Sequence, residues 1–163
     1  MSLMCSQILP NRDQSLVQPK MKDRVLNILL VEDDAVDIMN VRRAFKKGGI
    51  NNPLFFAGNG LEALEMLKGS GGKASIMPLE RRLILLDLNM PKMSGIEFLQ
   101  VLRADPDLKA IPVVVLTTSG EDRDRVQAYN LNVAGYLLKP VTFEPFVQTM
   151  TTLNHYWTLC EMP

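Results

Sequence analysis

Leu83-Ile84-Leu85-Leu86-Asp87-Leu88-Asn89-Met90-Pro91 is apolar at successive positions until it delivers a carboxylate, and it breaks at a proline. A run without alternation suits a strand buried on both faces, the habit of parallel sheets covered by helices on each side. In open α/β sheets ligands collect where such strands finish, so Asp87 is the first candidate site residue. Asp and Asn ahead of Pro also commonly open turns. That account would serve almost any lone Asp, so the other strand ends decide.

Upstream, Asn27-Ile28-Leu29-Leu30-Val31 ends in Glu32-Asp33-Asp34, and Ile38, Val41 and Phe45 follow at helical spacing. Asp34 is expected to cap that helix by accepting hydrogen bonds from its free first-turn amides. Glu32 and Asp33 lie further back, where capping explains them poorly. Downstream, Val113-Val114-Val115-Leu116 ends at Thr117-Thr118-Ser119, and Gly135-Tyr136-Leu137-Leu138 ends at Lys139-Pro140. Singly, Ser119 reads as a helix cap and Lys139 as a solvated strand end. If the sheet is doubly wound with the first strand beside the third, Glu32, Asp33 and Asp87 meet at the switch point, flanked by Thr117 and Lys139.

The order of elements favours that sheet. Pro53-Leu54-Phe55-Phe56-Ala57 reads as a second strand, followed by Leu61, Leu64 and Leu67 on a helix and the glycine-rich Gly69-Ser70-Gly71-Gly72. Ile96, Leu99 and Leu102 suit a helix packed on a sheet. A more polar helix is expected from Glu121 to Tyr129, and Phe143, Phe146, Val147, Met150, Leu153 and Trp157 mark a fifth. Five strands alternating with five helices, joined by right-handed crossovers, imply a parallel three-layer α/β domain.

Three carboxylates crowded together repel one another, and a bound cation relieves the cost of keeping them ionised. Magnesium prefers oxygen ligands and is typically held by one or two carboxylates plus phosphate oxygens. A carboxylate beside it can act as a nucleophile toward phosphorus. Asp87, alone on its strand, fits that part, with the metal, Lys139 and Thr117 stabilising charge on the transferring group.

These residues resemble the receiver domain of two-component response regulators. The likeness rests on Val31-Glu32-Asp33, on Leu86-Asp87-Leu88-Asn89-Met90-Pro91 with Gly95 four residues beyond, on Leu116-Thr117-Thr118, and on Tyr136-Leu137-Leu138-Lys139-Pro140. It runs from about Leu26 to about Trp157, and the intervals of 54 residues from Asp33 to Asp87, 30 to Thr117 and 22 to Lys139 fit as well. The resemblance implies a three-layer, doubly wound (βα)5 flavodoxin-like sheet in strand order 2-1-3-4-5. It implies that Asp87 accepts phosphate from a histidine kinase, that Asp33 ligates Mg2+ directly, Glu32 through water and Asn89 through its carbonyl, and that Asp87 completes the metal site. Thr117 and Lys139 would contact the phosphoryl group, and Tyr136 would follow Thr117 inward as a switch, although it also reads as an ordinary half-buried strand tyrosine. The Lys139-Pro140 bond would be cis. Thr118 departs from the small residue common there, which would narrow the approach of water. Such a protein catalyses only its own phosphorylation and dephosphorylation and is not otherwise an enzyme.

The long loop from Gly69 to Arg82 and the ending His155-Tyr156-Trp157 resemble the single-domain regulators that partner cyanobacterial phytochrome kinases. Those dimerise through the fourth helix, last strand and fifth helix, so a phytochrome-type kinase and a homodimer are implied. Exposed C-terminal aromatics would suit that contact, and Trp157 finishing the core is the equal alternative.

With 163 residues, 47% of them hydrophobic, and zero formal net charge, the chain suffices for one well-buried domain. No basic excess neutralises phosphates, so direct nucleic-acid binding is not expected and output must pass to a protein target. Residues 1–24 hold no apolar stretch of signal-peptide or membrane length, and Met1-Ser2-Leu3 is open to being a cloning remnant. The expectation is a flexible leader over 1–24, a receiver domain over 25–158, a tail over 159–163, and a cytoplasmic protein. Cys5 and Cys160 are expected as reduced thiols. His155 lies away from the acidic corner. Gly71-Gly72-Lys73-Ala74-Ser75 fails as a nucleotide loop, because Ala74 replaces the hydroxyl residue and Leu67 the first glycine. A metal-dependent phosphohydrolase would usually carry a second acid where Asn89 stands. A constitutive interaction module that keeps the fold without phosphorylation is the remaining alternative.

Overall fold

The computed structural model describes residues 24–118 and 120–163. The expected leader up to residue 23, Cys5 and the Ser119 cap therefore lie outside the described residues. The elements run β1 Asn27–Val31, α1 Ala35–Lys47, β2 Leu54–Ala57, α2 Gly60–Lys68, β3 Arg82–Leu86, α3 Gly95–Ala104, β4 Val113–Thr117, α4 Asp122–Asn130, β5 Gly135–Leu138 and α5 Phe143–Leu159. All neighbouring strand pairs are parallel, and the order is β2-β1-β3-β4-β5, as expected.

Alternate side chains of each strand feed two cores. Leu29, Val31, Ile84, Leu86, Val113 and Val115 join Ala63, Met66 and Leu67 of α2, Phe98, Leu99 and Leu102 of α3, and Ala128 of α4. Ile28, Leu30, Leu83, Leu85, Val114 and Leu116 face the other way, onto Val41, Ala44 and Phe45 of α1 and Phe146, Val147 and Met150 of α5. Continuous burial of β1 and β4 explains why both read as unbroken apolar runs.

Helix starts follow local chemistry. Asp34 accepts from the amides of Val36 and Asp37 at 2.8 and 3.0 Å, the cap expected of it. Ser94 and Glu97 form a reciprocal capping box at the start of α3. Gly95 is dictated by space: a Cβ there would lie 2.6 Å from the Asp87 carbonyl oxygen and 2.7 Å from Leu88 Cα. This close approach seats α3 directly under the end of β3.

The structure settles which helix faces pack inward. On α2 the inward face runs through Gly60, Ala63, Met66 and Leu67, while Leu61 is exposed. A spacing of three drifts off a 3.6-residue helix, so the three leucines do not share one buried line. On α5, Trp157 packs partly against the core, and Tyr156, edge-on to it with centroids 5.3 Å apart, carries the exposed aromatic surface. The cis bond expected between Lys139 and Pro140 is corrected: the described residues contain no cis peptide bond, and trans is the form X-Pro bonds favour by about 0.5–1 kcal/mol.

Candidate functional site

The register of the sheet assembles the site. Val31 pairs with Leu86, and the amide of Asp87 donates to the Val31 carbonyl at 3.0 Å, so Glu32 and Asp87 leave adjacent strands at the same level. Leu86 pairs with Val115, and the amide of Lys139 donates to the Thr117 carbonyl at 2.8 Å, which extends the row across β4 and β5. Four strand ends thereby become one edge.

Glu32, Asp33 and Asp87 each offer a carboxylate oxygen within 4.8 Å of the others'. Glu32 and Asp87 are buried and Asp33 is exposed, so the cluster opens to solvent on one side. Asp87 Oδ1 is buried and lacks a hydrogen-bond partner among the described residues. An unsatisfied buried carboxylate oxygen is costly and commonly marks a functional position. Every donor here is a hard oxygen, which matches Mg2+ or a similar cation. Asn89 lies exposed two residues past Asp87, beside the same edge.

Lys139 does not ion-pair with Asp87. Its ammonium donates to Glu32 Oε2 at 2.6 Å and to Asp37 Oδ2 at 2.7 Å, with only 10% of the side chain exposed. Asp37, on the first turn of α1, is the site residue that the sequence reading missed. It stands in the first turn of the helix that starts directly after Glu32-Asp33-Asp34, and this closeness to the acidic corner is the signal that could have singled it out.

Burial pushes the Glu32 carboxyl above its ordinary range, further than the hydrogen bonds from Lys139 and the Asp34 amide pull it back. Burial acts to lower Lys139, but its bonds to Asp37 and Glu32 and the charge of Asp87 outweigh this and hold the ammonium above its ordinary value. Both members of one ion pair rise: burial dominates at Glu32, with a smaller push from the Asp87 charge, whereas at Lys139 the surrounding carboxylates outweigh burial.

Thr117 is fully buried at the end of β4. Tyr136 pairs with Val115, two residues earlier on that strand, and is half-buried against the α2–α3–α4 core. Thr117 and Tyr136 thus belong to the same face of the sheet, by the two-residue alternation of strands. Lys139 belongs to the opposite face with Leu137, toward α1 and α5. His155 is exposed on α5 and takes no part in the acidic edge. Among the described residues no helix is long and apolar enough to cross a membrane.

Known proteins give the same picture. The family model described as the response regulator receiver domain matches residues 28–151. Response regulator Rcp1 of Synechocystis is 39% identical over 131 residues, covering 80% of this chain and 87% of Rcp1. The structure of its Mn2+-bound form superposes with a TM-score of 0.73, 36% identity, and coverage of 85% of this chain and 99% of that one. The phosphorylated cyanobacterial phytochrome response regulator RcpA gives a TM-score of 0.73 at 31% identity, covering 85% and 99%. A probable methanogenesis regulatory protein, FilR2 of Methanothrix harundinacea, is 40% identical over 130 residues, covering 80% of this chain and 82% of FilR2. With a matched family model over most of its length and relatives of this identity, the chain belongs to the response regulator receiver domain family.

Proposed function

We propose that this chain is a phosphorylation-activated switch that takes a phosphoryl group from a histidine kinase onto Asp87. The observation that carries the reading is the Asp87 carboxylate itself: buried at the end of β3, with Oδ1 unpartnered and two further carboxylates within ligating distance. A carboxylate oxygen of Asp87 attacks the phosphorus of a phosphohistidine. The P–O bond forms as the P–N bond breaks, and the departing imidazole nitrogen keeps the electron pair and takes a proton from solvent.

Glu32, Asp33 and Asp87, with the backbone carbonyl of Asn89, would hold a magnesium ion. When bound, such an ion offsets the negative charge on the phosphoryl oxygens. Lys139 and Thr117 stand on the flanking strand ends, and their ammonium and hydroxyl would donate to those oxygens once the phosphoryl group is in place. Movement of Thr117 toward the phosphoryl group vacates space on the face it shares with Tyr136, and Tyr136 turns inward. The surface of α4, β5 and α5 changes with it, and binding of a partner biases the same two-state equilibrium.

That surface suits a protein contact. Val126 and Tyr129 of α4, Leu138 of β5 and Tyr156 of α5 are each more than half exposed. A shallow groove between β5 and α5, lined by Leu137, Pro145, Leu153 and Tyr156, runs beside them. These exposed apolar side chains support a homodimer through this face, and the likeness to RcpA, named as a cyanobacterial phytochrome response regulator, supports a phytochrome-type kinase as donor. Cytoplasmic location and transfer of the signal to a downstream protein complete the reading.

The site assignment is tested by reductive trapping. Borohydride converts an aspartyl phosphate to homoserine, and peptide mass spectrometry after treatment with acetyl phosphate and Mg2+ is expected to place the homoserine at residue 87. A label at Asp33 or Glu32 would contradict the assignment.

A further inference from the structure

Lys139 stands in a position that the proposed chemistry does not by itself account for. Its ammonium is held by Glu32 and Asp37, whereas Asp87 Oδ1, the oxygen that most needs a donor, has none among the described residues. Glu32 is fixed in turn by the Asp34 amide, which donates to Oε1 at 3.0 Å. Asp37 projects from α1, outside the strand ends, with about a third of its side chain exposed. The lysine is therefore shared between an inner anchor and an outer one, and the outer one draws it toward α1.

We infer that Asp37 is a positioning residue that holds Lys139 in reserve on the α1 side of the site and competes with the phosphoryl group on Asp87 for its ammonium. The inference rests on the reading of Asp87 as phosphoacceptor. In the resting chain the ammonium bridges Glu32 and Asp37. Arrival of phosphoryl charge on Asp87 makes the inner position the better one, and Lys139 keeps Glu32 while giving up Asp37. Release of Asp37 is thus part of the work of activation, and its carboxylate sets how readily the site accepts phosphate.

The test compares rates of mass gain with acetyl phosphate and Mg2+ for the wild-type chain, Asp37→Asn, Asp37→Ser, Asp37→Glu and Asp34→Asn. The two charge-free variants are expected to phosphorylate roughly 5-fold faster, the effect of losing one part-exposed charge-assisted hydrogen bond. They are also expected to bind beryllofluoride more tightly by a similar factor, read by fluorine NMR without turnover. Asp37→Glu, which keeps the charge, returns the rate toward wild type. Asp34→Asn removes a charge from the same corner without touching Lys139, keeps a helix-capping residue, and is expected to leave the rate within about 2-fold of wild type. Equal acceleration by Asp34→Asn would mean a general charge effect and would overturn the inference, as would unchanged or slower phosphorylation in both charge-free variants. A wild-type chain that takes up no phosphate overturns this inference together with the proposed function. Uptake by wild type with no response to Asp37 overturns the inference alone.

Discussion

At the scale of single residues the site is built at the expense of stability. Asp87 Oδ1 is buried without a partner among the described residues, and an unsatisfied group of this kind costs about 1–3 kcal/mol. Asp87→Ala is therefore expected to raise the melting temperature by about 4 °C or more in a chelating buffer, at roughly 1 kcal/mol per 4 °C for a domain of this size. A lowered melting temperature would mean that the carboxylate is satisfied in some other way. The ionisable pair beside it gives a pH signature. Lys139 has its folded pKa raised above the ordinary 10.5, so its stabilisation is fully present below that value and is lost as pH rises through the folded one. Glu32 is raised above 4.5, so its ionisation in the folded chain carries a penalty that sets in above pH 4.5 and is complete past the folded value. Denaturant titrations of wild type and Lys139→Met should accordingly differ by a constant amount from neutral pH to about 10.5 and converge at higher pH. A gap that widens in alkali would contradict the ion pair.

At the scale of elements, helices reach the site through close contacts at their first turns. Because a Cβ on Gly95 would collide with the backbone of Asp87 and Leu88, Gly95→Ala is expected to destabilise by about 1–3 kcal/mol and to disturb the end of β3. Thermal unfolding reads the first effect, and loss of metal binding the second. A neutral substitution would mean that α3 can shift without cost. The same scale explains what the sequence could reveal. Unbroken apolar runs such as Leu83–Leu86 mark strands buried on both faces, and each ends at the polar residue that serves the site, so sheet and acidic edge were both legible. Local spacing said less about which side of a helix turns inward. The leucines Leu61, Leu64 and Leu67 mark the helix, yet its inward face runs through Ala63, Met66 and Leu67 while Leu61 is exposed. Asp37 was hidden for a related reason. Its partner Lys139 lies 102 residues away, and only the folded sheet brings them together.

At the scale of the whole molecule, two cores clamp a single sheet, and the site sits where neither core covers its edge. A ligand that binds only the folded chain stabilises it by RT ln(1 + [L]/Kd), about 2.7 kcal/mol at a hundredfold excess over Kd. Magnesium should therefore raise the melting temperature of the wild-type chain and leave Asp33→Asn nearly unmoved. An equal rise in both would place the cation elsewhere. Tyr156 lies near the end of α5, where the carbonyls of Trp157, Thr158 and Cys160 accept from Arg81, just ahead of β3 at the end of the sheet opposite Asp87, so Tyr156→Asp is expected to weaken self-association in sedimentation experiments while sparing phosphorylation. The central claim, that Asp87 is a metal-dependent phosphoacceptor, is most directly tested by intact mass after incubation with acetyl phosphate. Wild type with Mg2+ is expected to gain one phosphoryl group, and wild type without the metal or Asp87→Asn with it to gain none. No gain by wild type under any condition would contradict the account and leave a constitutive interaction module on a receiver fold.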